Sequence, residues 1–111
     1  MTTLQTIASC DDFTLITPMP DPGRTISKPF CCDLLSIAMG KACENACWVT
    51  VMANVNTLAV ASLTDVSCIV LAEGTQFDDT TLQKAVSEGI VVFTTPLPVF
   101  DAALKVYETA D

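Results

Sequence analysis

The chain has 111 residues, half of them apolar and 16% charged, and its 5 basic and 13 acidic side chains give a net charge of −8 without any histidine. A chain of this length forms one domain, which buries roughly 60–70% of its unfolded surface and needs no disulfide or metal to hold its core. We expect no binding to nucleic acids or to anionic membranes, because both need clustered Lys and Arg. The basic residues here form no run.

The N-terminal residues 1–23 are predicted to form a short arm. Apolar residues at helical spacing indicate a helix near Leu4, and residues 13–16 indicate a short strand. Residues 17–23 hold three prolines and a glycine, which predicts a loop that separates the arm from a body at 24–111. The start of the chain lacks the basic and apolar regions of a secretory signal, so we expect a cytoplasmic protein.

The first helix of the body is predicted at residues 34–39, capped by Asp33 and ended by Gly40. Three uncharged runs, partly β-branched, then indicate buried strands. These runs are residues 47–52, 67–71 and 90–93. Each is followed by a segment of helical period, so the body alternates between strand and helix.

The three helices that follow these strands differ in their patterns. Residues 55–63 are apolar almost all round, which predicts a helix covered on more than one side. The second helix follows the cap residues Asp78 and Asp79 and ends at Gly89, and the third begins at Thr94-Thr95-Pro96, with a hydroxyl cap before a proline. The predicted buried positions are Leu82, Ala85 and Val86 in the second helix, and Val99, Ala103, Val106 and Tyr107 in the third.

Residues 45–64 contain no charged side chain over about the length that crosses a bilayer. Asn54 and Asn56 would lie at mid-depth, where amides are costly, so a buried strand, a turn and a helix are predicted instead. Continuous apolar strands separated by helices predict parallel pairing with both faces covered. The fold class is therefore α/β: a small three-layer βαβαβα unit with a mainly parallel sheet and a short N-terminal helix and strand.

The six cysteines are interpreted as packed apolar side chains, because disulfides are rare in the cytosol and the spacings include no C-x2-C pair. The alternative is a metal or cluster carrier. Its ligands would be Cys31, Cys32, Cys43 and Cys47. Gly40-Lys41 does not complete a phosphate-binding loop, since Leu35 and Ala42 stand where that motif needs glycine and a hydroxyl residue. Without histidine or a nucleophile with a base, no catalytic residue and no cofactor is predicted.

The carboxyl ends of parallel strands remain as the candidate binding position. The loops there carry amides, hydroxyls and helix starts, which suit hydrogen-bonded recognition of a small ligand. The predicted ligand-binding residues are Asn54, Asn56, Glu73, Gly74, Thr94 and Thr95. Capping alone also explains Thr95 and Asp78, whereas two amides beside a buried strand need partners.

The chain resembles the DRTGG domain family, whose members are similar to the N-terminal domain of HPr kinase/phosphorylase. The resemblance extends over residues 24–107 and rests on CDLLSIAMG at 32–40, CWVTV at 47–51, NVN at 54–56, ASLTDVSCIV at 61–70, Ala85, EGI at 88–90 and TTP at 94–96. The namesake string itself is absent, and the nearest match is residues 21–25. The resemblance implies a regulatory or oligomerising α/β module without catalytic activity of its own.

Two functions follow as the main expectations. The first is a non-catalytic regulatory module, a homo-oligomer and most simply a dimer, that binds a small metabolite or nucleotide. Its low charged fraction, against roughly 25% in an average domain, indicates surface hidden between subunits. The second is an accessory protein that docks on an enzyme subunit, such as a redox enzyme. The cysteine-based carrier is the third alternative.

Overall fold

A five-stranded sheet forms the centre of the computed structural model, which describes residues 2–109. The strands are β1 (Thr14–Leu15), β2 (Pro29–Cys31), β3 (Cys47–Thr50), β4 (Cys68–Leu71) and β5 (Val92–Thr94). The helices are α1 (Leu4–Ala8), α2 (Leu35–Lys41), α3 (Val55–Thr64), α4 (Asp79–Ser87) and α5 (Val99–Glu108). Within the described residues, no helix is both long and apolar enough to cross a membrane.

The strand order is β1-β5-β4-β3-β2, and the four strands from β2 to β5 are parallel to their neighbours. Strand β1 pairs antiparallel with β5, and Thr14 lies opposite Thr94. The predicted α/β class with a mainly parallel sheet is confirmed. Strand β2 was not predicted, because three residues are too few to show a period and the strand starts with Pro29. An edge position tolerates that proline, since a missing N–H there costs no ladder hydrogen bond.

The sheet is buried on both faces because successive side chains of its strands point in opposite directions. Cys47 and Val49 of β3 pack into one cluster, and Trp48 between them packs into the other. Helices α1 and α5 contribute to the first cluster, whereas α2, α3 and α4 contribute to the second. The result is three layers, in which residues of the arm supply both a covering helix and an edge strand.

The predicted start of the last helix is wrong. Helix α5 begins at Val99, with Pro98 at its N-cap position, and not at Pro96. The backbone N–H of Thr95 still donates to Leu71 O at 3.0 Å, so the chain continues along the sheet. The Thr95 hydroxyl then accepts a hydrogen bond from Leu97 N at 3.2 Å, which makes a local turn before the helix.

Two predicted buried positions are also wrong, since Val86 is 43% exposed and Tyr107 is 67% exposed. In α5 the buried positions are Ala102, Ala103 and Val106. An α-helix turns about 100° per residue, so Tyr107 projects from the flank next to Val106 and away from the sheet.

Candidate functional site

The predicted site residues lie at or after the carboxyl ends of β3, β4 and β5, but only some of them come together. Gly74, Thr94 and Thr95 line one open depression of about 200 Å³. Thr14, Gln76 and Pro96 complete its lining. Two loops and the antiparallel strand β1 therefore build this depression jointly, and we refer to it as the carboxyl-edge depression.

The loop after β4 forms a tight turn from Ala72 to Thr75, closed by a hydrogen bond from Thr75 N to Ala72 O at 3.0 Å. Its central residues Glu73 and Gly74 both have positive φ angles, 60° and 73°. Two consecutive positive φ angles define a type I′ turn, which a glycine adopts without strain and a glutamate adopts with some cost. The turn therefore has a fixed shape.

This turn is tied to the loop after β5. The N–H of Glu73 donates to Leu97 O at 2.9 Å, and the N–H of Gly74 donates to Thr95 O at 3.0 Å. Both backbone N–H groups are hydrogen-bonded within the protein, so they do not form an anion-binding nest. Recognition in the depression falls to the side chains of Thr14, Gln76 and Thr94, which are neutral hydrogen-bonding groups.

The size and the lining limit what the depression can hold. Its volume of about 200 Å³ is below the roughly 300–1,000 Å³ of typical small-molecule pockets. No lysine or arginine belongs to the lining, so a phosphate would find no opposite charge there. The depression therefore fits a compact uncharged group better than a polyphosphate.

The topology explains why the site is a depression and not a deep crevice. In doubly wound sheets the crevice opens where successive crossovers leave in opposite directions. Here the parallel strands follow chain order from β2 to β5, and the intervening helices α2, α3 and α4 all lie on one face. The depression forms instead beside β5, where the chain crosses to the other face and β1 joins the sheet.

Asn54 and Asn56 do not line the carboxyl-edge depression, and both are exposed. Asn54 caps α3, because its side-chain oxygen accepts a hydrogen bond from Asn56 N at 2.9 Å. The partner expected for Asn54 is thus a backbone N–H of its own helix, and the assignment of Asn54 and Asn56 to a ligand site stays a prediction. Sequence reasoning also missed Thr14 and Gln76, and only the place of Thr14 in a predicted strand could have pointed to the pairing of β1 with the sheet.

Asp33 has a different role from the predicted helix cap. The N-cap residue of α2 is Leu34, which makes no side-chain cap, and α2 continues through Gly40 to Lys41. The Asp33 carboxylate instead accepts hydrogen bonds from Thr50 Oγ1 at 2.7 Å and from Val51 N at 2.9 Å. It thereby satisfies the polar groups at the end of β3, which lie beyond the last strand partner.

The cysteines behave as packed and partly shielded thiols. Cys47 and Cys68 are fully buried register partners of β3 and β4. The pKa of Cys47 is raised well above its ordinary value by the hydrogen bond with Cys68 and by burial. Partial desolvation also raises the pKa of the more exposed Cys31, helped by the nearby Cys47, Asp33 and Cys32. Within residues 2–109, no three Cys, Asp or Glu side chains are placed to hold a metal ion.

Residues 21–25, which are nearest to the namesake string of the DRTGG family, contact the chain at the amino ends of the strands. Arg24 donates from Nε to Asn45 Oδ1 at 3.1 Å, and its terminal nitrogen donates to Asp65 O at 2.9 Å and to Asp65 Oδ1 at 3.1 Å. Asn45 and Asp65 both have positive φ angles, and they precede β3 and β4. Arg24 therefore fixes two left-handed turns at the amino ends of the strands, away from the carboxyl-edge depression.

Comparison with known proteins shows the fold alone. No family model matches the chain, and no curated protein matches it. A solved structure that it resembles is that of the CBS and DRTGG domains of the regulatory region of Clostridium perfringens pyrophosphatase, complexed with the activator diadenosine tetraphosphate. The TM-score is 0.76 at 17% sequence identity, and the alignment covers 97% of this chain and 47% of that chain.

The chain thus spans about half the length of that solved chain. The likeness supports the DRTGG-like fold that the sequence resemblance implies.

Proposed function

We propose that this protein is a non-catalytic regulatory domain of the DRTGG family that binds a nucleotide or a related small metabolite. The ligand site is the carboxyl-edge depression, and the body at residues 24–111 and the arm at 1–23 both contribute to it. The observation that carries the proposal is that Gly74, from the loop after β4, and Thr94, at the end of β5, meet Thr14 and Gln76 around one depression. The structurally similar regulatory region is complexed with a nucleotide activator, which supports this class of ligand.

The chemistry of the lining indicates which part of a nucleotide the depression receives. Two hydroxyls and one amide suit the edges of a base or the hydroxyls of a ribose. The net charge of −8 disfavours approach of a polyphosphate by long-range repulsion. We therefore expect the base or sugar to occupy the depression and the phosphates to extend into solvent or toward a second subunit.

Thermal denaturation in the presence of adenosine, AMP, ATP and diadenosine tetraphosphate tests the proposal. A ligand at 100 times its dissociation constant stabilises the native state by about 2.7 kcal/mol, which raises the melting temperature of a domain of this size by about 10 °C. If none of these ligands raises the melting temperature, the proposed ligand class is wrong. If a ligand binds but substitutions in the depression do not change its affinity, the proposed site is wrong.

Variants of the depression separate these two results. Thr94→Val removes one hydroxyl while keeping the side-chain shape, and we expect it to weaken binding about tenfold, the effect of one hydrogen bond. Thr80→Val is the matched control, since Thr80 is exposed on α4 and outside the depression. Equal affinities in the wild type and Thr94→Val, for a ligand that does bind, would place the site elsewhere.

The proposal also includes a homo-oligomeric state, a dimer in the simplest case, and a cytoplasmic location. Only 16% of the residues are charged, and several large apolar side chains remain exposed on α2, α3, α4 and α5. Large apolar side chains that remain exposed close together usually mark an interface.

A second candidate function is docking on an enzyme subunit. The observation that favours it is an apolar patch on and before α2, where Leu34 is 57%, Ile37 50% and Met39 52% exposed. Reconstitution with the purified candidate subunit distinguishes this function, since Ile37→Glu should abolish that complex and leave ligand-induced thermal stabilisation unchanged. Binding unaffected by Ile37→Glu would exclude the patch as the docking surface.

A further inference from the structure

Helix α5 presents three different surfaces along its length. Ala102, Ala103 and Val106 face the sheet, as described above. The charged residues Asp101, Lys105 and Glu108 lie on one flank, at spacings of four and three. The opposite flank is apolar, and its members are Phe100, Leu104 and Tyr107, which are 70%, 40% and 67% exposed. We call these three residues the α5 apolar flank.

The α5 apolar flank continues onto the edge of the sheet. Tyr107 also lines a shallow groove of about 90 Å³ together with Ile26, Pro29 and Val106. This groove lies between α5 and the edge strand β2, and its lining is mostly apolar. The exposed surface is thus one continuous strip that runs from Phe100 to the sheet edge.

We propose that the α5 apolar flank is the interface with a second copy of this chain, formed by antiparallel packing of the two α5 helices around a two-fold axis. This inference rests on the homo-oligomeric part of the proposed function and names its surface. With the axis between Ala103 and Leu104, Phe100 of each copy lies opposite Tyr107 of the other. A helix with an aromatic residue at each end of its apolar flank and leucine near the centre is complementary to its own reversed copy, as a two-fold interface requires.

The charged residues of α5 lie outside the apolar strip. Asp101, Lys105 and Glu108 are on the other flank, where Lys105 pairs with Asp12 at 3.3 Å. Each copy has a net charge of −8, and packing through the apolar flank keeps these charged side chains out of the apolar centre of the interface.

The exposed area is consistent with the apolar centre of a dimer interface. A phenylalanine or tyrosine side chain has about 200 Å² of surface, and about two thirds of each ring is exposed here. The two aromatics alone therefore offer about 270 Å² per copy, and Leu104 and the groove add to it. A stable dimer buries about 800 Å² per copy around an apolar centre with a polar rim.

Sedimentation velocity across a concentration series tests the interface. We expect the wild type to be a dimer, and we expect Phe100→Glu to raise the dimer dissociation constant by roughly 30-fold or more, as for an interface hot spot. Leu63→Glu is the matched control, since Leu63 is 69% exposed but lies on α3, across the sheet. This control should remain a dimer.

A second variant at the other end of the strip provides an independent test. Tyr107→Glu places a carboxylate opposite Phe100 of the other copy, so we expect it to weaken the dimer as Phe100→Glu does. Both side chains are exposed, and far-ultraviolet circular dichroism confirms folding of each variant.

The outcomes separate this inference from the wider proposal. A wild-type dimer that persists in Phe100→Glu and Tyr107→Glu overturns the α5 interface but leaves a homo-oligomer. A wild type that stays monomeric at 100-micromolar concentration, about the upper range of a specific weak dimer, overturns both the interface and the oligomer. Neither outcome changes the ligand titrations with Thr94→Val.

Discussion

Replacing Asp33 by alanine tests whether one exposed carboxylate holds the end of β2 to the end of β3. The change removes the acceptor of two hydrogen bonds, 2.7 Å from Thr50 Oγ1 and 2.9 Å from Val51 N. A hydrogen bond to a charged group contributes about 1.5–3 kcal/mol, and the exposure of Asp33 places each bond near or below the lower limit. We expect a loss of about 2 kcal/mol in unfolding free energy, equivalent to about 8 °C in melting temperature.

Urea unfolding followed by the fluorescence of Trp48 measures this loss. Trp48 is the only tryptophan, it is fully buried, and its ring N–H donates to Cys32 O at 2.9 Å. The probe therefore reports on the segment that Asp33 anchors. Asp33→Asn is the control, because it keeps an acceptor oxygen and loses only the charge, and we expect it to cost about half as much.

A double-mutant cycle with Thr50→Val assigns the effect to the contact. The Thr50 hydroxyl donates to Asp33 and accepts from Met52 N at 3.1 Å, so the two changes should be less than additive by about 1 kcal/mol. A loss below about 0.5 kcal/mol in Asp33→Ala is the effect of an ordinary surface substitution. That result, or strict additivity in the cycle, would refute the anchoring role.

Three further predictions concern other parts of the fold. Arg24→Ala should lower the unfolding free energy by about 1–2 kcal/mol, because it breaks three hydrogen bonds, two of them to Asp65. Arg24→Lys should recover less than half of this lost free energy. Equal stability of all three proteins in urea would contradict the prediction. Hydrogen bonds from Thr81 lower the pKa of Asp78 below its ordinary value of 3.8. The Asp78 carboxylate therefore stabilises the fold fully above pH 3.8, and this stabilisation is lost as the pH falls through the lowered pKa. The stability difference between wild type and Asp78→Ala should therefore shrink in acid melts, and a constant difference from pH 7 to pH 2, roughly two units below the ordinary carboxylate range, would exclude it. Because the pKa of Cys31 is raised from 9.0, its thiol should react slowly with a disulfide reagent near neutral pH and faster in alkali. Cys47 is fully buried and should react only when the protein unfolds. Fast labelling of both thiols at neutral pH would contradict the prediction.

Sequence patterns were sufficient for the parts of the fold with long local signals. The runs that became β3, β4 and β5 were predicted within two residues at each end, and α3 was predicted within one residue. Asp78 was correctly predicted as a cap, since it accepts a hydrogen bond from Thr81 N at 2.7 Å. In each case the periodicity or the cap lies within a few residues of chain, so the physical cause is local.

The failures share a different cause, which is competition between local and distant partners. Asp33 has the right residue type for a helix cap, but two donors at the end of β3 bind its carboxylate. Thr95-Pro96 has the pattern of a helix start, but Thr95 remains bonded to β4. Neither competing partner is within ten residues of the position that it changes.

The sequence by itself determined the α/β class, the parallel pairing and the strands buried on both faces, because these follow from apolar periods that each segment carries alone. Only the tertiary structure decided that β1 joins β5 through Thr14 and Thr94 and that their neighbours enclose a depression. It also decided that the α5 apolar flank projects beyond the sheet edge. These features depend on contacts between segments far apart in the chain, and a pairing of that kind leaves no periodic trace in either segment.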